Sequence, residues 1–190
     1  VSMTCNAGCF GCISEQPEDS EFPSPQTRMA FKPTVDEIVQ VMLEHLKHDD
    51  SIISFGQGCE GEPSTQAKLI IEAIKQVRSV TDKGYININT NAGLTDHIRG
   101  IVDAGLDLMR VSTISAIDDH YNAYYKPRAY TLANVEKSLR YAIDQGVYGS
   151  INYLVFPGVT DREEELEAMI GFARRTGLRL IQMRNLNIDP

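Results

Sequence analysis

The feature that most constrains the fold is a regular alternation of short apolar segments with longer amphipathic ones. Five short segments rich in apolar and β-branched residues predict strands at 51–55, 85–90, 107–113, 150–156 and 178–184. Between them, apolar residues at helical spacing predict helices within 65–80, 94–105, 131–146 and 160–177. Alternation of this kind gives a parallel sheet whose crossovers are right-handed. The sequence therefore predicts an α/β fold.

Two closures of such a sheet fit this pattern, an open doubly wound sheet and a full or partial barrel. Both place ligands at the carboxyl ends of the strands. The segments that follow the predicted strands are rich in small and polar residues, as in G-Q-G-C-E-G-E-P after the first of them. The sequence therefore predicts that the chemistry lies at this edge of the sheet.

Capping residues mark the predicted helix starts. Another helix precedes the first predicted strand, and Thr34 with Glu37 forms its capping box. Thr131 is expected to cap the helix within 131–146. Thr160 with Glu163 reads as a second capping box at the start of the last helix.

The composition is that of one globular domain. The 190 residues are 42% hydrophobic, enough for a single core, and we divide them into a cysteine loop at 4–13, a connecting loop at 14–32 and strand–helix repeats at 33–190. The net charge of −8 argues against nucleic acid as a partner. No apolar stretch is long enough to cross a membrane and no signal peptide precedes Cys5, so we expect a cytoplasmic location and no membrane partner.

The ends of the chain suggest a fragment. The first residue is Val1 rather than methionine, and the sequence ends directly after the last predicted strand. We expect truncation at both ends, with residues 1–3 as the stub of a further strand.

Three of the four cysteines lie within eight positions, in T-C-N-A-G-C-F-G-C. Cys5, Cys9 and Cys12 follow the spacing C-x3-C-x2-C. Thiolates suit iron–sulfur clusters or zinc, whereas a zinc site wants four ligands and the loop has no fourth cysteine or histidine. A zinc site completed by a distant residue, unrelated buried thiols and a disulfide framework are the alternatives. Three thiolates on a four-iron cluster leave one iron open to substrate.

The chain resembles the radical S-adenosylmethionine (radical SAM) enzymes. The cysteine motif and G-E-P at 61–63, directly behind the strand at 51–55, match the family's C-x3-C-x2-C and Gly-Gly-Glu-Pro segments. The resemblance covers nearly the whole chain and implies a partial (β/α)6 TIM-like barrel with parallel strands. It implies a 4Fe–4S cluster on Cys5, Cys9 and Cys12, with SAM bound to the fourth iron.

The resemblance also implies where SAM is held. Backbone groups of Glu60, Gly61 and Glu62 receive its methionine amino group. The ribose and carboxylate contact polar residues at later strand ends, and further residues flank the adenine. These expected contacts are Asn89, Asn91 and Ser112 for the ribose and carboxylate, and Val155, Phe156, Asn185 and Leu186 for the adenine.

The sequence departs from the family pattern at two positions. Gly11 stands before the third cysteine where an aromatic residue is usual, and Glu60 replaces the first glycine of Gly-Gly-Glu-Pro. A buried extra carboxylate is costly unless paired. We therefore expect Glu60 to face the cavity or to pair with a basic neighbour.

Each of three further sequence features has two possible interpretations. Cys59 is expected to be a small buried residue, the alternative being a substrate-linked catalytic thiol. The tyrosine-rich segment at 121–130, with Lys126 and Arg128, is either a surface connection or an anion-binding segment. Arg110 lies within a predicted strand, where its charge needs a partner or the barrel interior.

The activity implied by the resemblance is reductive cleavage of SAM to a 5′-deoxyadenosyl radical that abstracts hydrogen from a substrate. The substrate class stays open between a small molecule, a peptide and a protein. An electron donor such as flavodoxin or ferredoxin is the other expected partner. The alternatives are a non-catalytic iron–sulfur electron-transfer protein, with Cys59 as fourth ligand, and a zinc-stabilised binding module.

Overall fold

The computed structural model describes residues 1–16, 19, 21, 24–58 and 60–185. Five strands alternate with helices in this part of the chain, as the sequence predicts. In chain order the elements are α1 Val35–His45, β1 Ile52–Phe55, α2 Ala67–Arg78, β2 Tyr85–Thr90, α3 Thr95–Asp103, β3 Leu108–Thr113, α4 Asp118–Tyr125, α5 Leu132–Asp144, β4 Tyr148–Val155, α6 Glu163–Thr176 and β5 Leu180–Asn185. A 3₁₀ turn at Pro63–Gln66 leads into α2.

The five strands form one parallel sheet in the order β1-β2-β3-β4-β5. Each strand therefore lies beside its neighbours in sequence, without the reversal of order that defines a doubly wound sheet. Sequential order is the arrangement of a (β/α) barrel. Among the described residues β1 and β5 each have one neighbouring strand, so the sheet forms part of a barrel wall.

The two faces of the sheet differ in chemistry. One face is fully buried under the helices and carries apolar side chains such as Ile86, Ile88, Met109, Val111 and Ile151. The alternate residues form the opposite, concave face, which is mostly polar. Its polar members include Ser54, Asn87, Asn89, Arg110, Ser112, Ser150, Asn152 and Gln182. The helices thus bury the apolar face, and the polar face is left for a ligand.

The predicted helix starts hold at two of three helices. Thr34 and Glu37 form a reciprocal capping box at α1, and Thr131 does so with Asn134 at α5. The expected box of Thr160 and Glu163 is wrong. The Thr160 hydroxyl instead bonds the backbone N–H and carbonyl of Phe156, and α6 begins at Glu163 behind Arg162.

Helix α4 is the element that the sequence analysis missed. It covers the first half of the tyrosine-rich segment. Lys126 caps its carboxyl end in a left-handed conformation with φ of 45°. Tyr121, Tyr125 and Tyr130 are buried. The ring centroid of Tyr121 lies 4.7 Å from that of Tyr125 and 6.5 Å from that of Tyr130. Tyrosines on several sides of a short helix hide the apolar periodicity by which helices are usually recognised.

A buried carboxylate ties α4 to α6. Glu165 is completely buried, and its oxygens accept from the hydroxyl of Ser115 at 2.7 and 3.0 Å. The Nδ1 atom of His120 on α4 also bonds this carboxylate. A buried charge of this kind needs all of its partners, so Ser115, His120 and Glu165 together join the loop after β3 and helix α4 to helix α6.

Residues 1–3 are irregular rather than a strand. The segment nevertheless runs beside the loop that follows β1, because the Gly61 N–H donates to the Ser2 carbonyl at 2.8 Å and the Glu62 N–H to the Thr4 carbonyl at 2.9 Å. These two hydrogen bonds are too few to form a β-ladder, so the predicted strand at residues 1–3 is absent from the structure.

None of the helices in the described ranges is both long enough and apolar enough to cross a bilayer.

Candidate functional site

The cysteine loop lies over the carboxyl edge of the sheet and is held there by backbone hydrogen bonds on both of its sides. On the β1 side, the N–H groups of Gly61 and Glu62 donate to the carbonyls of Ser2 and Thr4. These bonds place the start of the cysteine motif directly against the G-E-P segment. The two motifs that carry the family resemblance are therefore neighbours in space.

On its other side the loop is held by α4 and the residues behind it. The N–H groups of Gly8 and Phe10 donate to the carbonyls of Tyr125 and Tyr124, at 3.0 and 2.9 Å. The Arg128 N–H donates to the Asn6 carbonyl at 2.8 Å. The tyrosine-rich segment thus positions the cysteine loop, a role that neither of its two sequence readings included.

The three thiols are free and half-buried. Burial raises the pKa of Cys9 to about 12, and the neighbouring thiols of Cys5 and Cys12 add to the rise. Burial likewise raises the pKa of Cys5. The thiols are therefore close enough to affect one another's charge, as ligands of one shared site must be.

The donor set of the loop fits an iron–sulfur cluster. It consists of three soft thiolates without a fourth cysteine or a histidine in the loop. In the described part of the chain, no three His, Cys, Asp or Glu side chains converge closely enough to hold one metal ion.

Glu62 is the hub between the cysteine loop, the end of β2 and α2. Its buried carboxylate accepts from the Ser64 N–H at 3.0 Å, from the Thr90 hydroxyl, and from the Asn91 N–H at 2.8 Å. Burial raises the pKa of the Glu62 carboxyl, and these hydrogen bonds oppose the rise. The Glu62 side chain is therefore occupied inside the protein and does not contact a ligand.

Gly61 lies where no side chain fits. A Cβ atom there would stand 2.0 Å from the Thr4 carbonyl oxygen and 2.4 Å from its carbon. The glycine thus allows the two backbones to approach closely enough for the N–H bonds that seat the cysteine loop.

Asn91 joins the end of β2 to the cysteine loop. Its Nδ2 donates to Oδ1 of Asn6 at 2.7 Å, and its Oδ1 accepts from the Gly93 N–H at 2.9 Å. The bond fixes the Asn6 amide so that its Nδ2 is buried and has no partner among the described residues. A buried donor between Cys5 and Cys9 fits an acceptor such as a thiolate, a sulfide or a carboxylate. This orphaned donor is the observation that best fits a bound cluster with SAM.

The other expected SAM contacts lie along the same edge. Asn89 and Ser112 are half-buried on the concave face, near the ends of β2 and β3. Val155 ends β4 beside the exposed Asn185 of β5, with Phe156 half-buried directly behind it. The structure therefore brings these five residues to the edge that carries the cysteine loop.

Cys59 and Leu186, two of the residues that the sequence singled out, lie outside the described residues. The Glu60 carboxylate lies 2.8 Å from the Val1 amino group. Its own backbone N–H donates to the Gln57 carbonyl at 2.9 Å.

Sequence reasoning missed Asn6, and it did not predict that the Tyr124–Arg128 segment holds the cysteine loop through its backbone. Asn6 lies inside the motif, between two cysteines, so its position was a usable signal. The role of α4 rests on backbone carbonyls, which leave no residue-type signature in a sequence.

Comparison with known proteins identifies the superfamily. A sequence model described as the Radical SAM superfamily matches residues 1–170. No curated protein shows significant similarity to the chain.

The fold also resembles solved structures of radical SAM proteins. SuiB from Streptococcus suis bound to the precursor peptide SuiA gives a TM-score of 0.67 at 16% identity, over 98% of this chain and 38% of that one. The protein anSMEcpe with bound AdoMet gives 0.63 at 17% identity, over 100% and 50%. TYW1 with a lysine-pyruvate adduct gives 0.65 at 12% identity, over 98% and 63%. The chain thus spans about two fifths to three fifths of the length of these proteins.

Proposed function

This chain belongs to the radical SAM superfamily, and we propose from this that it binds a 4Fe–4S cluster through Cys5, Cys9 and Cys12 and catalyses a radical reaction on a substrate. The superfamily's cofactors are such a cluster and SAM. The observation that carries the cysteine assignment is the seating of all three thiols in one loop, fixed from both sides at the carboxyl edge of the sheet.

The residues around the loop support SAM binding at the same place. The N–H groups of Gly61 and Glu62 donate to the cysteine loop, and the Glu62 carbonyl accepts from the hydroxyl and N–H of Thr65. The carbonyls of Glu60 and Gly61 accept no hydrogen bond within the described residues and are available to an ammonium group. Asn89, Asn91 and Ser112 supply polar contacts for the ribose and carboxylate, and Val155, Phe156, Asn185 and Leu186 flank the adenine. Asn91 additionally holds the loop through Asn6.

The chemistry supplied by the bound cofactors is reductive cleavage of SAM, followed by hydrogen abstraction from the substrate by the 5′-deoxyadenosyl radical. The protein's own part is to orient SAM and substrate and to exclude side reactions. One electron comes from a donor such as flavodoxin or ferredoxin. The polar concave face lies beneath the cysteine loop and is where the substrate would be held.

The substrate is a small molecule, a peptide or a protein. A peptide has a precedent among similar folds, because SuiB is bound to a precursor peptide. The lysine-pyruvate adduct in TYW1 is a small-molecule precedent.

The test is anaerobic reconstitution with iron and sulfide, followed by dithionite and SAM. We expect about four iron atoms per chain and formation of 5′-deoxyadenosine, measured by liquid chromatography. Each of the variants Cys5→Ser, Cys9→Ser and Cys12→Ser should lose most of the iron and form none of the product. Zinc in place of iron, or a cluster that never cleaves SAM, would contradict the proposal.

Cys59→Ala is the matched control, because it separates the enzyme from the electron-transfer alternative. If Cys59 completed a four-thiolate cluster, its loss would remove iron as the loop substitutions do. We expect the variant to keep both its iron and SAM cleavage. A variant that keeps SAM cleavage but loses substrate turnover would assign Cys59 to the substrate.

A further inference from the structure

Arg110 is a half-buried cation that no acidic side chain neutralises within the described part of the chain. The other half-buried arginines differ in this respect. Arg28 pairs with Glu15, and Arg78 pairs with Asp107. The remaining arginines without an acidic partner in this part of the chain are exposed, where water solvates their charge. Half-buried charges normally find an opposite charge.

The partners that Arg110 does have are neutral. Its Nε donates to Oδ1 of Asn89 at 2.9 Å, and its Nη1 donates to Oε1 of Gln182 at 3.3 Å. Asn89 is on β2 and Gln182 on β5, so the guanidinium reaches across the concave face above β4. Its Nη2 has no protein partner among the described residues. Two side-chain amides therefore hold the Arg110 guanidinium in place, while its Nη2 group remains available to a ligand.

Asn152 supplies a second open group at the same place. It lies on β4, in register with Ser112 on one side and with Gln182 on the other. Its Oδ1 is buried and accepts no hydrogen bond from the described residues. A buried acceptor without a donor is costly, so the site lacks an N–H group as well as an anion.

We propose that this part of the concave face recognises a substrate carboxylate through Arg110 and an adjacent N–H group through Asn152. A guanidinium held in a fixed orientation binds a carboxylate through two parallel charge-assisted hydrogen bonds. An acidic group with a neighbouring N–H is the chemistry of an amino acid or of a peptide carboxyl terminus. The inference rests on the proposed function, because it names the substrate class of the same site.

A purely structural role explains the arrangement less well. The strands β2 to β5 are already joined by their parallel ladders, so a side chain that connects β2, β3 and β5 adds little to the stability of the sheet. Burying part of a charge for two neutral bonds is unfavourable unless an anion completes the set.

The probes are N-acetylglycine, which has a carboxylate and an N–H, and N-acetylglycinamide, which has the N–H without the charge. Binding to the reconstituted, SAM-loaded protein is measured by ligand-observed nuclear magnetic resonance. We expect the acid to bind at least about tenfold more tightly than the amide. Arg110→Gln should abolish this preference, whereas Arg110→Lys, which keeps the charge but not the fork, should keep part of it.

The matched controls are Arg140→Gln and Asn152→Leu. Arg140 is exposed on α5 near Asp144, and its loss should leave both affinities unchanged. Asn152→Leu should weaken both probes equally and so preserve their ratio. Wild-type protein that binds both probes equally, or an Arg110→Gln variant that keeps the preference, would overturn the inference.

Equilibrium dialysis with labelled SAM distinguishes the two sources of a carboxylate. Because Arg110 also bonds Asn89, which we propose as a SAM contact, we expect Arg110→Gln to lower the SAM affinity no more than Asn89→Ala does and to abolish the probe preference as well. A loss of SAM affinity without a change in probe preference would assign Arg110 to the SAM carboxylate and would overturn the inference. The probe measurement is repeated on metal-free protein, where a preference for the acid supports the inference even if SAM cleavage, and with it the proposed function, fails.

Discussion

The amide of Asn91 donates to the amide of Asn6 at 2.7 Å, across 85 positions of sequence. This bond links the end of β2 to the inside of the cysteine motif. It also sets which atom of Asn6 remains as an unpaired buried donor. The orientation of a group next to the thiols is thus determined by a residue of the sheet.

Asn91→Ala should loosen the cysteine loop. The Asn6 Oδ1 and the Gly93 N–H would both lose their partner, and each unsatisfied buried group costs about 1–3 kcal/mol. We expect a lower free energy of unfolding in urea and faster release of iron to a chelator. Asn122→Ala is the control, because Asn122 is exposed on α4. If both variants released iron at the wild-type rate, the linking role of Asn91 would be wrong.

Gly61→Ala should displace the start of the cysteine loop. The added methyl group would meet backbone atoms of Thr4, which cannot rotate away as a side chain can. Overpacking of this kind costs about 1–3 kcal/mol, and we expect a reduced melting temperature together with weaker SAM binding.

Gly171→Ala serves as the comparison for Gly61→Ala. Gly171 lies within α6, where the new methyl group would meet only the flexible end of Arg175, at 3.2 Å. Alanine there should stabilise the protein by up to about 1 kcal/mol. Equal destabilisation by both substitutions would argue against a specific contact at Gly61.

His120→Ala should destabilise the protein by about 2 kcal/mol. The substitution leaves the fully buried Glu165 carboxylate with the Ser115 hydroxyl alone, and a hydrogen bond to a charged group is worth about 1.5–3 kcal/mol. Urea unfolding measures the change, with His48→Ala as the control because His48 is exposed and lies in the loop after α1. A destabilisation no larger than that of His48→Ala would mean that Ser115 alone satisfies Glu165.

The capping box of α1 predicts a pH dependence. The backbone N–H and hydroxyl of Thr34 bond the Glu37 carboxylate and hold its pKa below the usual 4.5. A group whose pKa is lower in the folded state stabilises the fold above its unfolded pKa, and this contribution is lost as the pH falls through the folded pKa. Glu37→Gln should therefore destabilise the protein at pH 7 and have little effect in acid.

Urea unfolding of the wild type and of Glu37→Gln, each at pH 7 and at an acid pH below the Glu37 pKa, measures this difference. Thr34→Ala, which removes the hydroxyl, should cost about 1 kcal/mol at pH 7. A constant gap between wild type and Glu37→Gln at the two pH values would show that the charge of Glu37 adds nothing to the cap.

The strands followed from residue types in the sequence, whereas the sequential strand order and the placement of the cysteine loop were implied only by the family resemblance. The β-branched run at Ile52–Phe55, the spacing of Cys5, Cys9 and Cys12, and the Thr34 cap each have a local signature. The capping box predicted for Thr160 and Glu163 was wrong because the Thr160 hydroxyl bonds the backbone of Phe156 instead. The spacing of a threonine and a glutamate does not show which of these two hydrogen bonds forms.

The contacts that position the site had no such signature. Tyr124 and Tyr125 hold the loop through their carbonyls, which every residue possesses. Arg110 was recognised as needing a partner, but only the fold shows that its partners are Asn89 and Gln182, the latter 72 positions away. Long-range pairings of this kind depend on the register of the strands, which local sequence does not encode.

Main-chain atoms on both sides fix the position of the cysteine loop, and this has an evolutionary consequence. Phe10, 71% exposed, and Ile13, 50% exposed, project outward from a backbone whose course does not depend on them. Mutation can therefore alter the outer surface of the loop while the backbone that carries the three cysteines keeps its course. Phe10 and Ile13 can thus diverge without moving the thiols.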